Sequence, residues 1–131
     1  MPTTGRCHCG AIRYSVAGQP AHAALCHCHD CTRTAGAPMV GWALFPDTAV
    51  TITGTPVSYR SSDHGVRHFC GNCGSGLFYT SESAFPGKID IQISTLDDPD
   101  AYPPAAHIQV ADDPRWMASA HELPRFERYP G

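Results

Sequence analysis

The stretch VRHFCGNCGSGLFYT, Val66 to Thr80, places a C-x-x-C turn between two short apolar runs. Val66–Cys70 and Gly76–Thr80 are rich in β-branched and aromatic residues, which fit a pleated, half-buried surface. Between them, CGNCG has the spacing of a metal knuckle, whose ligands a tight turn presents on one side. Gly71 and Gly74 allow the positive φ that such a turn demands. The segment therefore reads as a β-hairpin capped by two metal-ligating cysteines, and it predicts a β-rich fold tied together by metal.

The rest of the chain agrees. Its 131 residues include twelve Gly and twelve Pro, spread as punctuation between short segments. Further strand candidates are Ala11–Val16, Met39–Phe45, Ala49–Thr53, Pro56–Arg60, Lys88–Ser94 and Ala105–Val110. In KIDIQIS, Ile89, Ile91 and Ile93 alternate with Asp90 and Gln92, the period of a strand with one buried face. Helix signals are few. The best runs from Cys28 through Thr34, and LDDPDAY reads as a turn, with Asp97 and Asp98 as turn residues rather than an acid–base pair. The C-terminal ELPRFERYPG reads as an extended tail packed by its aromatic residues. Trp42, Phe69 and Trp116 are assigned to the core. The reading is one domain over residues 1–131, mainly β, with short turns and little helix.

Composition restricts the function classes. No run approaches the roughly 18 apolar residues needed to span a membrane. The N-terminal MPTTGRCHCG lacks the regions of a signal peptide, so a cytoplasmic location is expected, where thiols stay reduced. Nine basic against twelve acidic residues, a net charge of −3, tell against nucleic acid as the main partner.

Seven cysteines are too many for a reduced globular chain without a task, and their odd number argues against disulfides alone. They fall into three groups: Cys7 and Cys9; Cys26, Cys28 and Cys31; Cys70 and Cys73. The partition that uses all seven closes one tetrahedral zinc site from Cys7, Cys9, Cys70 and Cys73. That site would clip together two segments about 60 residues apart, where a cross-link offsets much loop-closure entropy. The alternative partition lends two sulfurs of the middle group to a flanking pair and strands three cysteines.

The middle group, in CHCHDC from Cys26 to Cys31, then holds a second zinc with three thiolates and an open position, the arrangement of catalytic zinc. Three thiolates make the ion a weak Lewis acid, so water activation suits it poorly. Holding the thiolate of a substrate suits it better. Alternatively, His27, His29 or Asp30 fills the fourth place and the site is a second staple. A thioredoxin-like reading of Cys28 and Cys31 fails for want of a βαβ unit.

Around this group, His29 and His27 are candidate proton-transfer residues and Arg33 is a candidate anchor for a substrate carboxylate, with pairing to Asp30 as its other reading. Strand alternation sets Arg67 and His68 on opposite faces, so at most one borders a given pocket. His68 reads as a half-buried strand residue and His107 as a packed one. His22, His64 and His121 are expected at the surface.

The segments GRCHCGAIRY, CHCHDCTRTAGAP, RHFCGNCGSGLFY, STLDDP and HIQVADDPRWM, in this order, resemble the glutathione-dependent formaldehyde-activating enzyme family, which includes centromere protein V-like members. The resemblance covers nearly the whole chain. It implies a fold of stacked antiparallel β-sheets, a structural zinc at Cys7, Cys9, Cys70 and Cys73, and a catalytic zinc at Cys26, Cys28 and Cys31. It also implies a carbon–sulfur lyase activity, the condensation of glutathione with formaldehyde to S-(hydroxymethyl)glutathione. The expected partner is a small thiol such as glutathione. The other classes to separate from this enzyme are a non-enzymatic zinc domain that binds protein and a thiol or metal sensor.

Overall fold

A computed structural model describes residues 2–131. Among the described residues ten strands form two sheets. β1 (Thr3–Arg6), β2 (Arg13–Val16) and β5 (Val50–Thr53) make an antiparallel sheet in the order β1-β2-β5. The larger sheet holds β3 (His22–Cys26), β4 (Val40–Pro46), β6 (Val57–Arg60), β7 (Val66–Phe69), β8 (Gly76–Thr80), β9 (Lys88–Gln92) and β10 (His107–Ile108). Its order is β10-β3-β4-β9-β8-β7-β6. All its pairs are antiparallel except β10 with β3, which is parallel. The expected stacked sheets are thus present, with one parallel edge strand added.

The main core lies between the sheets. Tyr14 and Val16 of β2 meet Ala43 and Phe45 of β4, Phe78 of β8, and Ile89 and Ile91 of β9. Tyr14 stands edge-on to Phe78, with ring centroids 5.3 Å apart. The isoleucines fulfil the alternation seen in the sequence, but their strand ends at Gln92 and Ile93 opens a 3₁₀ turn. Asp90 is buried as well, because the opposite face of this sheet is also covered.

The helix signal resolves into α1 (His29–Ala35). Cys28 caps it, its sulfur accepting from the backbone N–H of Cys31, and Gly36 ends it with φ of 65°. Position 28 therefore serves both the helix start and the sulfur group. The β7–β8 hairpin forms as read. The N–H of Gly74 reaches the carbonyl of Cys70 at 2.8 Å, and Gly74 takes the positive φ at 81°. Gly71 does not; it is needed there because a Cβ would stand 2.8 Å from Val57 Cγ2.

Two expectations about the C-terminal part are corrected. Trp116 is 56% exposed rather than in the core, because residues 115–122 form a 3₁₀ turn on the surface. The tail does not pack through its aromatics: Phe126 and Tyr129 are 56% and 90% exposed. Ala105–Val110 contracts to the two-residue β10.

Candidate metal centres and the adjoining cleft

The sulfurs of Cys7, Cys9, Cys70 and Cys73 all lie within 4.8 Å of one another. Cys7 Sγ is 3.7 Å from Cys9 Sγ, which is 3.8 Å from Cys70 Sγ. A tetrahedron with zinc–sulfur bonds of about 2.3 Å requires sulfurs about 3.8 Å apart, so four thiolates fit zinc here. N–H groups support them as they would support thiolates. Ile12 donates to Cys7 Sγ at 3.3 Å, Asn72 N–H to Cys70 Sγ at 3.4 Å, and the Asn72 side chain to Cys9 Sγ at 3.2 Å. Cys7 and Cys70 belong to the main core, so this centre and the core are one structure.

Cys26, Cys28 and Cys31 form the second group, again within 4.8 Å. Cys26 closes β3, Cys28 caps α1 and Cys31 follows one helical turn later, which brings the 28 and 31 side chains to one side. Among the described residues no His, Asp or Glu joins these sulfurs. His27 and His29 lie beside Asp112 and Asp113, around a different, shallow pocket. The question left open by CHCHDC is settled to that extent: neither imidazole completes the sulfur group.

Strand register shows what shares the sulfur face. Cys26 stands opposite Val40; Trp42, two residues on, is opposite Gln92; Leu44 is opposite Asp90; Asp90 is opposite Tyr79; and Tyr79 is opposite Arg67. Paired residues point the same way, so this face carries Cys26, Trp42, Asp90, Tyr79 and Arg67 together. Trp42 packs with Cys26 and Cys31. Arg67 lies 5.0 Å from the centre of the Tyr79 ring and directs Nη2 to Cys31 Sγ at 3.6 Å. Hydrogen bonds from Cys26 foremost, then Cys28 and Arg67, pull the Cys31 thiol down to about 5. The Cys26 thiol moves the other way, because it donates to Cys31 and is buried.

Arg67 was not singled out from the sequence as a site residue. Its only signal was its strand position, and the contact with Cys31 joins residues 36 positions apart. A cleft of ≈ 590 Å³ opens beside this face, bordered by Thr34, Trp42, Tyr59, Arg67, His68 and Gln92 among others. That volume suits a small-molecule ligand. Both Arg67 and His68 border it, contrary to the expectation that at most one would: the cleft is lined by consecutive residues of β6 and β7, so it is not confined to one face of the sheet. His68 is half-buried as read, bonded to Ser58 and Thr80. Arg33 is exposed on α1, next to Thr34 at the cleft border, and forms no ion pair among the described residues. His107 is exposed rather than packed; its Nδ1 meets His27.

Asp90 is the other residue the sequence reading passed over. It is 7% exposed and its Oδ1 has no hydrogen-bond partner. Burial, and secondarily the charge at Cys31, push its carboxyl up to about 7. In the unfolded chain it ionises near the ordinary value, so native Asp90 keeps a proton that the unfolded chain loses. Its contribution to stability therefore falls as pH rises from about 4 to about 7, by up to roughly 4 kcal/mol. Asp90→Asn should gain stability relative to the parent between pH 5 and pH 8. Urea unfolding at both values checks this; an unchanged difference would show that the carboxyl is not held protonated.

The fold and the two sulfur groups define a small β-sheet protein with two candidate metal centres, one closed by four cysteines and one with three. The chain belongs to the glutathione-dependent formaldehyde-activating enzyme family, whose model matches residues 2–112. A Halomonas elongata protein provisionally named a glutathione-dependent formaldehyde-activating enzyme is 30% identical over 129 residues, covering 89% of this chain and 80% of that one. An uncharacterized lyase of Schizosaccharomyces pombe is 26% identical over 112 residues, covering 75% and 82% of the two chains. The crystal structure of a Rhodobacter sphaeroides protein from structural genomics shares the fold, with a TM-score of 0.60 and 24% identity over 72% of this chain and 88% of that one. Among the described residues no helix is long and apolar enough to cross a membrane.

Proposed function

We propose that this chain is a zinc-dependent carbon–sulfur lyase acting on a thiol–aldehyde adduct, with glutathione and formaldehyde, or a related small aldehyde, as its components. The observation that carries the reading is a group of three sulfurs, with no fourth protein ligand among the described residues, beside a cleft of ≈ 590 Å³. Family membership and the names of the relatives support it. Cys7, Cys9, Cys70 and Cys73 would hold a structural zinc; Cys26, Cys28 and Cys31 would hold a second. When bound at Cys26, Cys28 and Cys31, zinc would lower the pKa of a substrate thiol and favour its ionised form.

The protein's own residues do the rest. The Arg67 guanidinium offsets the negative charge that collects on the sulfurs. Trp42 and Tyr79 wall the sulfur side and exclude water, which strengthens charge interactions there. Thr34 and Gln92 offer polar contacts to the amide groups of a peptide-like thiol, and Arg33, beside Thr34, is the proposed anchor for one of its carboxylates.

In the condensing direction the thiolate forms a bond to the carbonyl carbon, the π pair moves to oxygen, and that oxygen takes a proton. In reverse, the hydroxyl gives up its proton and the carbon–sulfur pair returns to sulfur. The sequence reading gave this proton to His29 or His27. His27 has both ring nitrogens engaged, whereas the His29 ring is 77% exposed and so can exchange protons with water. We assign the transfer to Asp90, which shares the sulfur face, rather than to His29, which lies around the separate pocket beside Asp112.

The test is the rate of adduct exchange. Exchange NMR between formaldehyde and S-(hydroxymethyl)glutathione should be accelerated by the two-zinc protein and not by a protein stripped of the second metal. An absence of acceleration, with both zincs bound, would favour a non-enzymatic zinc domain or a metal sensor. Asp90→Asn should slow the exchange by about 10²-fold, within the range for a lost acid–base group. An unchanged rate would remove Asp90 from the reaction.

A further inference from the structure

We infer that His27, with His107 and Asp113, is a positioning device for the three-sulfur group and takes no part in its chemistry. His27 lies between two sulfur-bearing residues, yet its ring turns away from them and is buried, at 3% exposure. Both nitrogens are engaged by residues 80 and more positions away. Nδ1 is 2.6 Å from Asp113 Oδ1, and Nε2 is 2.8 Å from His107 Nδ1. One set of neutral tautomers satisfies both hydrogen bonds. His27 Nδ1–H donates to the carboxylate, and His107 Nδ1–H donates to His27 Nε2.

The backbone repeats the connection on either side. Leu25 N–H donates to the Ala106 carbonyl at 2.9 Å, and His27 N–H to the Ile108 carbonyl at 3.0 Å. His29 N–H donates to Asp112 Oδ2 at 3.0 Å. Residues before, between and after the first two sulfurs are therefore all fastened to one strap, residues 106–113.

The strap is not placed there by a core of its own. Residues 105–111 are all exposed, so burial offers little reason for their course. At Gln109 the chain adopts φ of 60°, the one non-glycine residue with positive φ among those described. A strained backbone of this kind persists when its surroundings fix it. Here the bend at Gln109 carries the strap from His107 to Asp112 and Asp113, so that all three side chains meet the Cys26–His29 segment. Three thiolates repel one another, and the two-residue step from Cys26 to Cys28 must hold two of them together. A residue that acts behind such ligands typically controls metal affinity by 10–100-fold.

The inference rests on Cys26, Cys28 and Cys31 being metal ligands, and one titration separates the two claims. The full chain is titrated with cobalt(II) against a competing chelator, following the thiolate charge-transfer band for each equivalent. The parent should bind two equivalents. His27→Leu and Asp113→Asn should bind the first as tightly as the parent and the second at least tenfold more weakly, with His27→Gln intermediate. Asp113→Asn, at a partly exposed position, carries the test if His27→Leu fails to fold. A parent that binds one equivalent removes the three-sulfur site and the inference with it. Two equivalents with second-site affinity unchanged in Asp113→Asn, or both sites weakened alike, overturn the positioning role alone.

Discussion

Cys70→Ala is expected to leave no stably folded protein. Cys70 is 1% exposed and belongs to both the main core and the four-sulfur centre. The centre joins the Cys7–Cys9 turn to the β7–β8 hairpin, and Cys9 and Cys70 stand 61 positions apart. Without the metal, the small sheet loses its cross-link to the large one. A structural zinc contributes on the order of 10–16 kcal/mol of apparent binding free energy at neutral pH. A domain of this size has roughly 5–15 kcal/mol of total stability. The first figure is as large as the second, so losing a ligand here should be decisive. Far-UV circular dichroism and metal content of the purified variant check the result. A variant that melts like the parent would show that the four sulfurs do not hold the fold together.

Cys28→Ser should behave in the opposite way. Cys28 is half-buried and its structural duty is to cap α1 by accepting from Cys31 N–H at 3.2 Å. Serine is among the preferred residues at that position, so the helix start is preserved. Stability should change by no more than about 1 kcal/mol. The second metal should be lost at chelator concentrations that leave the first in place. Adduct exchange should fall by at least about 10²-fold, the loss expected when a reacting atom is no longer held in place. Urea unfolding, metal analysis and exchange NMR on the same sample give all three readings. Loss of folding comparable with Cys70→Ala would reverse the roles assigned to the two centres.

Much of this arrangement is written locally. The C-x-x-C between two strand-like runs gave the hairpin, because a knuckle and its flanking strands are one continuous segment. The Ile89–Ile91 alternation predicted the core face of β9 for the same reason. β1 and β3 were missed: TTGR has no buried run, and HAALC ends in the sulfur group that dominated its reading. The open face was illegible because it is made by register. Arg67, Tyr79, Asp90 and Trp42 come from four strands, and nothing local in KIDIQIS indicates that Asp90 is covered. Imidazoles adjacent to sulfurs in sequence were read as their partners. In the fold, the end of β3 and the start of α1 turn His27 and His29 away, and His27 finds its partners at positions 107 and 113.

Cobalt-substituted protein titrated with glutathione tests most directly whether the three-sulfur centre is built to receive a substrate thiol. With both sites filled, glutathione should change the visible bands of the second cobalt, saturably, and leave those of the first unaltered. The same titration on Cys28→Ser should show no change. A spectrum of the parent that is insensitive to glutathione and to other small thiols, with two cobalt ions bound, would contradict a thiol-binding centre.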